Sequence, residues 1–402
     1  MVYEPVELVD DLEEEEPEPE LTPSKVSEAV VWHTDWTVET VTLQLTRNNI
    51  EMPEFQRRDA WARRRKSRYI ESLILGLPIP QIILAERKEK RGSYLVLDGK
   101  QRLLSILQFT GNDKDGKNNN FRLQGLEVLK DLNGNTLNDI NRDSNLKSIF
   151  EPFYNQAIRS VVIRNWPSPA FLHMLFKRLN TETLPLSPQE LRQALYPGDF
   201  VKFADEASRE SQAIKILLGL NPDEPDSRMR DVELLVRYLA FSFYLSGHRG
   251  NLKDFLDTTC EKLNKSWSKN EDVIRKQVKT FEDAVNSSIQ IFDGPENVAR
   301  KWTEKGFAPR LNKAILDIIT FYFSDEKIRE KSLDKSREVV EAFKKLCIES
   351  EPFRNSIETT TKSLGATSTR LCLWGESLRQ ATGLKFHIPE YKDDRISFSG
   401  FW

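Results

Sequence analysis

Asp98-Gly99-Lys100-Gln101-Arg102 brings a carboxylate, a glycine and two cations together in five consecutive residues. The apolar run from Tyr94 to Leu97 before it reads as a strand, and Leu103, Leu104, Ile106, Leu107 and Phe109 after it recur at helical spacing. A helix that opens directly after a strand leaves unpaired N–H groups at the positive end of its dipole, where anions settle. Gly99 would let a phosphate approach the backbone, Arg102 would grip its oxygens by a forked contact, and Lys100 would add a point charge. The same pentapeptide also has a plain structural reading, since Asp-Gly is a common turn and Asp an ordinary helix cap.

Two further constellations carry charge. Arg57, Arg58, Arg63, Arg64, Arg65, Lys66 and Arg68 place seven cations within twelve residues, a run that repels itself unless solvent, acids or a polyanion screens it. Arg63, Arg64, Arg65, Lys66 and Arg68 form the candidate DNA-binding strip, with a solvated helix face as the bland alternative. Gln56 and Arg57 lie earlier, in a Pro-containing extended segment where side chains can converge on a site. The third constellation is Arg178 and Asn180, followed by Ser187-Pro188-Gln189-Glu190 and Arg192. Ser187 with Glu190 is a capping box and Pro188 takes the first helical position, but that grammar leaves Arg178, Asn180, Gln189 and Arg192 to face a ligand.

The elements that must position these groups follow from periodicity. Ala62 to Leu75 reads as a helix that stops at Gly76, and Pro80 to Ala85 pairs with Tyr94 to Leu97 across a charged turn containing Gly92. Residues 111–148, rich in Asn, Asp, Lys and Gly with a short apolar element at Phe121 to Leu129, read as a surface excursion, and Ala157 to Arg164 as one more strand of the same sheet. Beyond Pro169 the pattern is helical almost to the end, including separate segments over 252–263 and 273–292. The fold class expected is α+β, a small mixed-sheet domain followed by a large all-helical region. Boundaries fall at 1–30 for an acidic disordered arm, 31–165 for the sheet domain and 166–402 for the helical one.

Composition narrows the class. The chain has 402 residues, enough for roughly two to three domains, and 39% hydrophobic content supports real cores. Formal charge is −3, but residues 1–20 hold ten acids and no Lys or Arg; the rest sets 59 basic against 52 acidic residues, a net +7. That asymmetry permits a polyanionic partner. Three cysteines, Cys260, Cys347 and Cys372, are too few and too far apart for a disulfide framework or a paired zinc motif. No apolar stretch is long enough to span a bilayer and no secretory signal is visible, so no membrane is expected and the cytoplasm is the default location.

The segments "PEFQRRDAW", "YIESLILGLPIPQIILAE", "YLVLDGKQRLLSIL", "FKRLNTETLPLSPQELRQAL" and "RMRDVELLVRYLAF", in that order, resemble the N-terminal domain of GmrSD-type restriction systems. That family is usually related to the ParB/sulfiredoxin-like fold, and its signature is Asp-Gly-Gln-Gln-Arg, from which Lys100 departs. A weaker continuation at "PRLNKAILDII" and "TSTRLCLW" resembles the helical tail of stand-alone members. The resemblance implies binding and hydrolysis of a nucleoside triphosphate, with Mg2+, in defence against modified foreign DNA. Asp98 and Arg102 would take the catalytic role; Gln56, Arg57, Gly99, Lys100, Gln101, Arg178, Asn180 and Glu190 would contact the nucleotide.

Relatives often continue into a His-Asn-His nuclease domain, but His33, His173, His248 and His387 form no such cluster. The chain is therefore expected to lack that domain and to act with a nuclease subunit on another chain. Asp98-Gly-Lys100 and Glu86-Arg-Lys88 superficially fit half of a metal-dependent nuclease motif, without its preceding Pro-Asp element. The competing accounts are a DNA-binding sensor that uses the Arg57 to Arg68 strip without hydrolysis, and a metal-dependent nuclease.

Overall fold

The strands expected near residues 82, 94 and 157 pair in one sheet, and the helices between them cover it. The structure is a computed structural model describing residues 6–9, 22–51, 61–88, 90–112, 120–179, 187–221, 226, 228–358 and 363–402. Two compact units divide the chain: Pro17–Leu195 form one, and residues 196–402 form the other together with the N-terminal segment that contains β1 (Leu8–Val9). The sheet unit thus runs through 195, where the sequence reading ended its domain at 165.

In the sheet unit the order is α1 (Pro23–Val26), β2 (Val30–Thr37), α2 (Val38–Thr46), β3 (Ile50–Glu51), α3 (Arg63–Ile74), β4 (Ile82–Glu86), β5 (Tyr94–Asp98) and α4 (Lys100–Phe109). Then come α5 (Leu137–Arg142), α6 (Ser144–Phe150), α7 (Pro152–Asn155), β6 (Ala157–Arg164), α8 (Pro169–Leu179) and α9 (Pro188–Leu195). The sheet order is β2-β6-β4-β5-β3. It is mixed: β6 runs antiparallel to β2 and parallel to β4, while β5 runs antiparallel to β4 and parallel to β3. Ile82 and Leu84 of β4, Tyr94 and Val96 of β5, and Ile158 and Val162 of β6 share one face, which packs on α2, α3 and α4. The alternate residues Ile83, Ala85, Leu95, Leu97, Val161 and Ile163 are buried as well, which explains why these strands read as continuous apolar runs.

Residues 121–150 are not a surface excursion. Phe121, Leu123, Leu126, Leu132, Leu137, Ile140 and Phe150 enter the main core, and the Phe109 ring meets those of Phe121, Phe150 and Phe153 at centroid distances of 5.4, 5.8 and 6.1 Å. The apolar element at Phe121 to Leu129 supplies the first of these anchors, and beyond it single apolar residues stand between polar spacers. Residues 6–9 also depart from the arm expected over 1–30: Leu8 and Val9 pair in parallel with Leu311 and Asn312, and the Arg230 guanidinium donates to the Val6 carbonyl at 2.8 Å. Residues 22–30 carry α1 and the start of β2. The acidic run between them lies outside the described residues.

The second unit holds α10 (Asp199–Glu210), α11 (Gln212–Leu218), α12 (Arg230–Tyr244), α13 (Leu252–Ile291), β7 (Trp302–Thr303), β8 (Gly306–Phe307), β9 (Leu311–Asn312), α14 (Lys313–Phe323) and α15 (Glu326–Asp334). It closes with α16 (Ser336–Glu349), α17 (Glu351–Glu358), α18 (Leu364–Thr382), β10 (Glu390–Lys392) and β11 (Arg395–Ser397). The region is large and helical as expected, relieved by three two-stranded pairings. The two segments expected over 252–263 and 273–292 are one 40-residue helix, α13, capped by Asn251. Buried charge pairs tie α12 to α14: Arg237 to Asp317 at 2.6 Å and Lys313 to Glu233 at 2.9 Å. The motifs "RMRDVELLVRYLAF" and "PRLNKAILDII" therefore meet in space as structural partners.

Candidate functional site

The strand-turn-helix expected at Asp98 is present. Asp98 ends β5, Gly99 sits at the N-cap of α4 with φ of 99°, and no side chain caps that helix. Just before it the β4–β5 register shifts between Ile83 and Leu84, a bulge of the kind that re-aims a side chain beside a site. Glycine is required at 99 for two reasons: the positive φ, and a Cβ there would lie 2.6 Å from Ile82 Cγ2. Its missing side chain thus makes room for β4 rather than only for a ligand.

Around the turn, polar groups are held in two pairs. Asp98 accepts from the Gly99 N–H with Oδ1 and from Arg102 Nη2 with Oδ2, both at 2.7 Å. Lys100 donates to Glu190 Oε1 at 2.9 Å, with side chains only 12% and 4% exposed. Glu190 Oε2 accepts the Ser187 N–H at 2.7 Å while the Glu190 N–H donates to Ser187 Oγ at 3.1 Å, so the capping box at α9 exists as read. Gln101 Oε1 accepts the Trp61 N–H at 3.2 Å, which fastens the segment preceding α3 to α4.

Arg102 is only 8% exposed, and its Nε has no hydrogen-bond partner among the described residues. A buried guanidinium N–H without an acceptor is costly and marks a place where an acceptor belongs. Tyr69 on α3 has the same condition: its hydroxyl is buried and unpartnered. Burial pushes that phenol well above its ordinary value, and the nearby Arg102 charge pulls the other way. Tyr69 was legible only as a core position of α3, because nothing in its helical spacing separates a packing tyrosine from one whose hydroxyl faces a buried arginine.

The expected residues distribute unevenly. Asp98, Gly99, Lys100, Gln101, Arg102 and Glu190 converge on the turn, whereas Arg178 is exposed on α8. Gln189 does not reach out to a ligand through its carbonyl, which accepts Arg192 Nη1 at 2.6 Å. Gln56, Arg57 and Asn180 lie outside the described residues.

The basic strip is smaller than expected. Lys66 is buried and donates to Gln108 at 2.8 Å, so it cannot be a phosphate contact on the surface; its place on the inner face of α3 is the reason. Arg65 lies over the Trp61 ring at 4.4 Å, and Arg68 pairs with Glu127 at 2.6 Å. Arg63 and Arg64 remain exposed. Among the described residues no group of three or more His, Cys, Asp or Glu could hold a metal ion, and no helix is long and apolar enough to cross a membrane.

No curated protein and no solved structure matches the chain. The family model described as GmrSD restriction endonuclease, N-terminal domain, matches residues 39–197, which hold β3 to β6, the Asp98 to Arg102 turn and the Glu190 cap. Over those residues the chain carries an N-terminal domain of the GmrSD restriction endonuclease family.

Proposed function

We propose that this chain is a regulatory or sensing component of a DNA-restriction system that binds, and hydrolyses, a nucleoside triphosphate at the turn between β5 and α4. The observation that carries the reading is the unpartnered, buried Nε of Arg102 beside the uncapped N-terminus of α4. A phosphate oxygen would supply the missing acceptor, and the helix dipole would favour its charge. Asp98 holds Arg102 in place through Nη2, which leaves Nε as the free edge of the fork. The Tyr69 hydroxyl, kept protonated by burial, is a second buried donor without a partner among the described residues.

Magnesium, the usual companion of a triphosphate, does not fit the protein carboxylates here. Each acid is already neutralised by a cation, Asp98 by Arg102 and Glu190 by Lys100, and among the described residues no group of three or more acid, His or Cys ligands gathers to hold an ion. No step is assigned to a protein-bound metal.

The test is phosphate release by wild type and Arg102→Ala across the four ribonucleoside triphosphates, with and without DNA, beside a direct binding measurement. Loss of a hydrogen bond to charge should weaken binding by roughly 1.5–3 kcal/mol. Unchanged affinity in a folded variant removes Arg102 from the site; no binding by wild type ends the triphosphate reading.

A second reading, a DNA-binding module, rests on α3. Arg63, Arg64 and Arg65 fill the first turn of a helix whose N-cap, Ala62, makes no side-chain hydrogen bond. Cations at the positive end of a helix dipole are unfavourable, and a nucleic-acid phosphate would relieve them. Nucleotide-independent binding that falls steeply with salt would favour this account.

A further inference from the structure

Glu190 and Asp98 are both bonded to residues of the turn, and each is neutralised from within the fold. The i,i+4 pair of Asp98 and Arg102 is local to α4. The other pair is not: Lys100 reaches Glu190 across 90 residues of sequence and joins the first turn of α4 to the first turn of α9. Glu190 is almost fully buried, and a buried carboxylate needs a cation or a proton. A glutamine at position 100 would carry no charge and could not neutralise that carboxylate.

We propose that Lys100 is the resident cation of this site: seated on Glu190, it takes the place that a divalent ion would occupy on that carboxylate, so that phosphate binding at the turn needs no divalent cation. The inference rests on the triphosphate reading above. Lys100 acts here as a positioning residue and counter-charge. Replacing it with Gln would leave Glu190 buried and unpaired, and so would turn that carboxylate into a ligand for an added cation.

The experiment is calorimetric titration of the full chain with ATP and with inorganic tripolyphosphate, in EDTA and in magnesium chloride. Wild type is expected to bind both probes with nearly equal affinity in the two buffers. Lys100→Gln should lose about tenfold or more in EDTA and recover in magnesium, while Lys100→Arg should behave as wild type. The K100Q/E190Q double variant removes both charges together and so folds even where the single variant is compromised. It should be as weak as Lys100→Gln in EDTA and gain nothing from magnesium.

Wild-type binding that collapses in EDTA overturns the proposal while leaving the triphosphate site intact. So does a K100Q protein that keeps wild-type affinity in EDTA, or one equally weak in both buffers, since the pair would then be structural alone. Absence of wild-type binding to either probe in both buffers overturns the triphosphate reading and this proposal with it.

Discussion

The ammonium of Lys66 lies 2.8 Å from the side-chain carbonyl of Gln108, and both residues are buried. A charge that sequence places in a solvated basic run is thus a tie between α3 and α4. Lys66→Ala should lower stability by about 1–3 kcal/mol in urea denaturation, because it removes a buried, charge-assisted hydrogen bond between α3 and α4. It should leave the salt dependence of any DNA binding unchanged, whereas Arg63→Ala and Arg64→Ala should each flatten the log–log slope by about one unit. Equal slopes for all three variants would return the helix to a merely solvated face.

Glu71, on the same helix, collects the backbone N–H groups of Glu127, Val128 and Leu129 at 3.1, 2.8 and 2.8 Å. Burial alone would raise its carboxyl, but those donors, with the Arg68 charge, outweigh burial and hold it below the ordinary range. The stabilisation is therefore full above the unfolded value near 4.3 and is lost as pH falls through the lower folded value. Glu71→Gln should cost about 1.5–3 kcal/mol at pH 7, and the gap between variant and wild type should close in acid. A gap that persists unchanged at low pH would mean that the carboxylate charge contributes nothing.

At Gly99 the positive φ and the closeness of Ile82 forbid a side chain. Gly99→Ala should destabilise by roughly 1–3 kcal/mol in thermal or urea unfolding. A fully stable alanine variant would show that the turn has another conformation available.

His248, in the helical unit, is buried against the Phe255 ring at 4.8 Å, and neither ring nitrogen has a partner among the described residues. Burial first, then the charges of Arg370, Arg237 and Arg249, push its pKa down to about 4. The unfolded chain binds a proton near pH 6.5, so stability is full above that value and declines as pH falls toward 4, by up to about 3 kcal/mol. Differential scanning calorimetry of His248→Phe between pH 7.5 and 5 should show a flatter dependence than wild type. Identical slopes would place the acid sensitivity elsewhere.

Periodicity made the site's frame legible, because α3, β4, β5, α4 and β6 each bury a regular face. β2 escaped because it lies at the sheet edge with Val30, Val31 and Trp32 exposed, so no alternation marks its buried side. The long α13 looked like two helices because its middle, from Asn264 to Asp272, buries no residue. Within the site, the Asp98–Arg102 pair could be read from i,i+4 spacing. The Lys100–Glu190 pair could not, since the capping box already gave Glu190 a local purpose and only tertiary contact reveals the second one. Lys66 failed for the converse reason: adjacency in a charge run says nothing about which side of a helix a residue faces.

The pairing of β1 with β9 has a consequence for how the chain matures. Glu7 and Arg310, whose side chains meet at 2.8 Å, are 303 residues apart, so the segment that carries Glu7 is synthesised long before its partner. The sheet unit is topologically an insertion between two pieces of the helical one. Removing residues 6–9 would take away one strand of that pairing, and a fragment starting at residue 196 would emerge with the Leu311–Asn312 edge bare. The β1–β9 pairing is a contact of very long sequence separation, and its closure is expected to come late in folding.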